Sequence, residues 1–147
     1  MAKLSTWKRL YPLLKPTEFG RGAYENMQDD FLLSLYKFRV AMDTPMILHV
    51  GYATKGHSRN SYHYQGRAID FRFKYNPVPT RKIIVTAIKC GLHGIGFYPH
   101  WTPYPGGMHL DNRTAGGFNV WSRSKKGIYT YTFPNKIPES LEEWRVV

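Results

Sequence analysis

The sequence predicts an α+β fold, a small and mostly antiparallel sheet with helices on one face. Phe31, Leu32, Leu35, Phe38 and Met42 recur at helical spacing. Ile69, Phe71 and Phe73 instead alternate with Ala68, Asp70 and Arg72, the period of a strand with one buried face. The chain has 147 residues, one domain's length and enough for a core without disulfides. No repeat, low-complexity tract or linker divides it, so residues 1–147 are expected to form one domain.

Residues 1–22 are expected to form an irregular or short-helical arm, with Leu10, Tyr11, Leu13 and Leu14 available to the core. An amphipathic helix follows over residues 25–42 and ends at Asp43-Thr44-Pro45, because a residue before proline avoids the helical region. Residues 46–50 read as a short apolar strand leading into Gly51-Tyr52 and a polar loop through Asn60. After the strand at 67–73, Pro77-x-Pro79 breaks the chain before a second helix. Thr80 is the expected N-cap, Ile83, Ile84, Ala87 and Ile88 the buried face, and Gly91 the stop. Residues 94–98 form a strand whose glycines allow close backbone approach, and a loop over 99–107 precedes a strand carrying Met108 to Asp111. In the C-terminal extension, 122–147, Tyr129, Tyr131 and Phe133 alternate with threonines as a last strand does, and residues 138–144 could close with a short helix.

Two segments carry chemistry. Ser61-Tyr62-His63-Tyr64-Gln65-Gly66-Arg67-Ala68-Ile69-Asp70 and Met108-His109-Leu110-Asp111 bring two histidines and two carboxylates into strands or strand edges. Parity puts Asp70 opposite the apolar side chains of its strand, and puts His109 and Asp111 together on one face of theirs. Gly66 permits a tight reversal between His63 and Asp70. If these faces look into a cleft, His63, Asp70 and His109 could converge on one ion. Imidazole and carboxylate are zinc ligands, and three of them with an open position mark a catalytic site. The plain alternative for each residue is an ordinary polar surface. It explains the full set poorly, since glycine, alanine and both ligand pairs would have to coincide.

The motif Ser61-x-His63-x-x-Gly66-x-Ala68-x-Asp70, followed by Gly94-Ile95-Gly96-Phe97-Tyr98 and His109-x-Asp111, resembles the zinc D-alanyl-D-alanine carboxypeptidase family. That family has the hedgehog/D-Ala-D-Ala peptidase fold and includes carboxypeptidases, dipeptidases and phage and bacterial endopeptidases of peptidoglycan stem peptides. The resemblance runs from about Phe31 to about Trp121. It implies that His63, Asp70 and His109 bind Zn2+. Several branches place an acidic general base three residues before the last histidine, where this chain has Gly106. Asp111 resembles the His-x-Asp branch and is the candidate for the base, or for a group that orients the ligand or the water.

Lysine and arginine number 21 against 10 acidic residues, a net charge of +11 that favours polyanions such as nucleic acid, anionic lipid or an acidic bacterial wall. Nucleic-acid binding alone would explain the charge and leave the histidines and aspartates unexplained, so no specific nucleic-acid partner is expected. Attraction to peptidoglycan explains both. Cys90, alone, is expected as a small buried apolar group. Residues 1–16 lack an apolar run long enough for a signal peptide, and no segment approaches a transmembrane span. The expectation is therefore a monomer made in the host cytoplasm that acts at the cell wall, as a phage endolysin or a virion-associated enzyme would.

The activity implied is metal-assisted amide hydrolysis, with Asp111 taking the proton of the attacking water. Arg59, Lys55 and Arg72 are candidates to hold a substrate carboxylate or the anionic intermediate, and each has the alternative of a solvated surface charge. Ser61 is read as a local hydrogen-bonding group of the substrate site and not as a nucleophile. Tyr98, Trp101 and Tyr104 could wall the cleft, Trp101 being the better binding candidate. His57 and His100 could edge it, although an exposed or capping role is the first reading for each. The contrasting reading is a non-catalytic, zinc-stabilised wall-binding module, kept open by Gly106.

Overall fold

The computed structural model describes residues 1–75, 78–102, 105–114 and 117–132. Six strands form one sheet: β1 (Met46–Val50), β2 (Ala68–Phe73), β3 (Gly94–Tyr98), β4 (Gly107–Asp111), β5 (Asn119–Arg123) and β6 (Tyr129–Thr132). Their spatial order is β1-β2-β4-β3-β5-β6, antiparallel throughout except where β5 runs parallel to β3. The helices are α1 (Leu4–Leu10), α2 (Ala23–Asn26), α3 (Asp29–Met42) and α4 (Thr80–Lys89). This is the expected α+β class. β5 was not anticipated; Phe133, Tyr104 and the helix expected at 138–144 lie outside the described residues.

Strand parity divides the sheet into two unlike faces. Ile69, Phe71, Phe73, Ile95, Phe97, Met108, Leu110 and Val120 enter one buried cluster with Phe31, Leu32, Leu35 and Phe38 of α3 and Ile83, Ile84 and Ala87 of α4. Phe38 meets both Phe71 and Phe73 with ring centroids 6.4 Å apart, which fixes α3 against the sheet. Burying one such side chain contributes about 1.5–3 kcal/mol, so this face carries most of the folding energy. The arm adds Trp7, Leu10, Leu14 and Phe19 to the core, whereas Tyr11 and Leu13 remain exposed.

Two local expectations are corrected. The helix expected over 25–42 is broken at Met27 and Gln28, both extended. Gln28 donates its N–H to the Gly66 carbonyl at 3.0 Å, so the start of α3 is tied to the loop that carries His63. Pro79, not Thr80, caps α4: its carbonyl accepts from Ile83, and Thr80 is the first helical residue. The C-terminal end behaves as read. Gly91 has φ +83°, and the bonds Gly91 N–H to Ile88 and Leu92 N–H to Ala87 close a Schellman motif.

Candidate metal centre

On the other face, hydrogen-bonded register aligns Asp70 of β2, His109 of β4, Gly96 of β3 and Trp121 of β5 in one row. Cross-strand neighbours in one row project to one side, so the sheet itself brings Asp70 to His109. Small residues make this face usable. A Cβ at Gly94 would overlap the Asp111 carboxylate, and one at Gly96 would lie 2.6 Å from the Trp121 ring. His63 arrives from outside the sheet, on a 3-10 turn over Tyr62–Gln65. Ser61 Oγ accepts from His63 N–H at 3.2 Å, and Gly66 ends the turn at φ +68°.

The donor geometry is specific. Asp70 Oδ1 lies 3.1 Å from His63 Nε2 and 3.0 Å from His109 Nδ1. His63 Nδ1 is 2.8 Å from the Gly51 carbonyl and must be the protonated nitrogen there, because a carbonyl only accepts. His63 Nε2 then carries a lone pair, is buried, and finds no hydrogen-bond partner among the described residues. A lone pair facing a carboxylate oxygen is a repulsive contact unless a cation lies between them. His109 is arranged in the same sense, with Nε2 2.8 Å from Asp111 Oδ2 and Nδ1 turned to Asp70. Each imidazole is thus held by its outer nitrogen and presents its inner one, the usual arrangement around a ligated ion. The residues fit a metal ion.

His57 completes the cluster. His57, His63 and Asp70 each offer a ligand atom, and these atoms lie within 4.8 Å of one another. The His57 ring stacks on His63 with centroids 4.2 Å apart. Its backbone is clamped by Tyr64, whose hydroxyl accepts from His57 N and donates to His57 O, both at 2.8 Å. Burial pushes the His57 pKa below its ordinary value, which favours a neutral ring at neutral pH.

Asp111 is 0% exposed and fully engaged. Besides His109 it accepts from Arg113 through Nε at 2.8 Å, Nη2 at 2.6 Å and the backbone N–H at 3.0 Å. The Arg113 guanidinium sits between the Tyr62 and Trp121 rings, 5.1 Å from each. Burial opposes ionisation of Asp111, but the bonds from Arg113 and His109 prevail and keep its pKa well below the usual carboxylate range. At Asp70 burial likewise opposes ionisation, and the bond from His109 prevails and keeps its pKa well below the usual carboxylate range. Both carboxylates are therefore anionic at neutral pH.

These groups line an open cleft of about 560 Å³ that also includes Ser61, Tyr98, Trp101, Arg123 and Tyr129. Tyr98 and Trp101 stack at 4.1 Å, and Tyr98 Oη accepts from Trp121 Nε1 at 2.8 Å. Gly107 has no side chain where the Trp101 ring lies. Among the described lining residues are Ser58, Asn60 and Ser61, but neither Arg59 nor Arg72. Arg59 is exposed, and Arg72 lies two residues beyond Asp70 along β2, opposite Ile47 of β1. Among the described lining residues the arginines are Arg113 and Arg123, which sequence reasoning passed over. Extending the parity of His109 and Asp111 by two residues would have reached Arg113. No periodic signal marks His57, which depends on a loop and on the Tyr64 clamp.

Two imidazoles converging on a buried carboxylate in an open cleft define a metallohydrolase type of site. Residues 27–118, more than half of the chain, match the family model of peptidoglycan L,D-endopeptidase MepK, and the chain belongs to that metallopeptidase family. Among curated proteins, none matches it.

Proposed function

We propose that this protein is a zinc-dependent endopeptidase that hydrolyses an L,D amide bond in the peptide part of bacterial peptidoglycan. The observation that carries the reading is the convergence of His63 Nε2 and His109 Nδ1 on one oxygen of Asp70, each ring anchored through its other nitrogen. His63, Asp70 and His109 are the proposed ligands, and zinc held there would supply Lewis-acid polarisation of the scissile carbonyl and activation of water.

The chain's own residues do the rest. Asp111 takes the orienting role of the two open to it: it fixes the His109 tautomer from behind, and both of its oxygens are already taken up by His109 and Arg113. His57, neutral and beside the ligand atoms, is the proposed proton acceptor, and it would return that proton to the leaving amine. Trp101 and Tyr98 form an aromatic wall against which a stem peptide can lie. The proposed setting is the cell wall during phage lysis or entry, where a charge of +11 favours acidic wall polymers.

Incubation of purified protein with sacculi tests the reading. The expected result is release of new amino groups, abolished by a chelator and restored by zinc. Sedimentation with sacculi without cleavage would instead favour a zinc-stabilised binding module. One observation keeps that second reading in view: both cleft carboxylates, Asp70 and Asp111, are engaged, and Gly106 supplies no third.

A further inference from the structure

β5 and β6 lie beyond the family-matched segment, yet Trp121, Arg123 and Tyr129 extend the floor of the cleft. Trp121 and Arg123 share the site face of β5, and Arg123 pairs with Tyr129 of β6. Arg123 is exposed on the cleft, with its guanidinium 5.7 Å from the centroid of the Tyr129 ring. The other cleft arginine, Arg113, is neutralised by a bidentate bond to Asp111. Arg123 has no carboxylate partner among the described residues. The turn glycine beneath it, Gly127, leaves space that a Cβ would narrow to 3.2 Å from Nη2. Among the described residues, the cleft therefore ends in one supported cation whose donors meet no carboxylate.

From this we infer that Arg123, on its Tyr129 shelf, binds a free carboxylate of the substrate and so selects stem peptides whose acidic groups are not amidated. The inference rests on the endopeptidase reading and adds a specificity residue to it. Scale agrees. β4 and β5 are two strand spacings apart, roughly 10 Å, and Arg123 is one further side-chain step along, roughly 7 Å. A carboxylate held there belongs to a residue a few positions from the scissile bond of an extended peptide. An arginine suits the task because its planar donors match both oxygens of a carboxylate.

The test compares two disaccharide-tetrapeptide muropeptides that differ only in whether the glutamate α-carboxyl is free or amidated. Affinity for the zinc-loaded protein is read by quenching of tryptophan fluorescence, and turnover on sacculi is measured separately. Wild type should bind the free acid about tenfold more tightly, the worth of one charge-assisted hydrogen bond. R123M should bind both ligands equally, and R123K should recover part of the preference; a thermal melt matching wild type shows that the variants fold. Equal wild-type affinities, or a preference that survives in R123M, would overturn the assignment and leave the endopeptidase reading standing. Arg123-dependent preference without any turnover would remove the endopeptidase reading and leave the carboxylate site.

Discussion

Asp70 and Asp111 both touch His109, and the side of the ring each one meets separates their roles. Asp70 faces Nδ1 together with a second imidazole, whereas Asp111 faces Nε2 from the buried side. Replacing Asp111 by Asn should lower zinc affinity by about 10–100-fold, as loss of a ligand-orienting group does. Competition against a chromophoric chelator measures it; lost activity at unchanged affinity would return Asp111 to the role of base. At His57 the expectation is reversed. His57→Ala should keep zinc at one ion per chain while losing turnover by about 10²–10⁴-fold, and His63→Ala should lose the metal itself. Zinc loss from His57→Ala would make it a ligand. A third expectation concerns protons. In the metal-free chain burial disfavours the charged His109 ring, but bonds to Asp111 and Asp70 outweigh it and raise its pKa from 6.5 to about 9. A folded pKa above the unfolded value stabilises the metal-free fold fully below about 6.5, and that contribution disappears as pH rises through about 9. Zinc bound as proposed would have to displace the same proton from Nδ1, so its affinity should climb about tenfold per pH unit from 7 to 9. Calorimetry in buffers of different ionisation enthalpy should find one proton released per ion at pH 7; none released would contradict the assignment of Nδ1.

Single elements matter here through how closely their backbones approach. The loop carrying His63 turns at Gly66, where φ is +68° and a Cβ would overlap the carbonyl oxygen of Asn26 at the end of α2. Gly56, in the loop carrying His57, has φ +89° but open space around it. Gly66→Ala should therefore cost more than about 3 kcal/mol, since strain and backbone overlap add, while Gly56→Ala should cost about 1 kcal/mol from strain alone. Urea denaturation of both variants checks the contrast, and equal losses would mean that the Gly66 contact is not rigid. Strand parity made β2 and β4 legible, because one face of each is fully apolar. The start of α3 was misread for a reason that parity cannot supply. Gln28 satisfies its N–H on Gly66, 38 residues ahead, and so leaves the helix.

At the scale of the molecule, one sheet does two jobs: its apolar face carries the core and its other face the cleft. Charge acts over the whole surface. With a net +11, adhesion to sacculi should weaken steeply between 0.1 M and 1 M salt, as the screening length falls from about 10 Å to about 3 Å. Zinc content should not change over that range, because the proposed ligands are buried or nearly so. Co-sedimentation across a salt series measures the first and metal analysis the second; salt-independent adhesion would point to specific wall contacts instead.

The sequence by itself determined the fold class, the alternation of β2 and β4, and the residue types His63, Asp70, His109 and Asp111 in an order that resembles a zinc peptidase family. These are local properties, written in periodicity and in short motifs. Tertiary structure decided which nitrogen of each histidine faces inward, that Asp111 is sealed behind His109 by Arg113, and that His57 and Arg123 reach the cleft. Such facts depend on register between strands distant in the chain and on side chains meeting across a loop. Pairing of that kind has no period, and only the closed sheet specifies it.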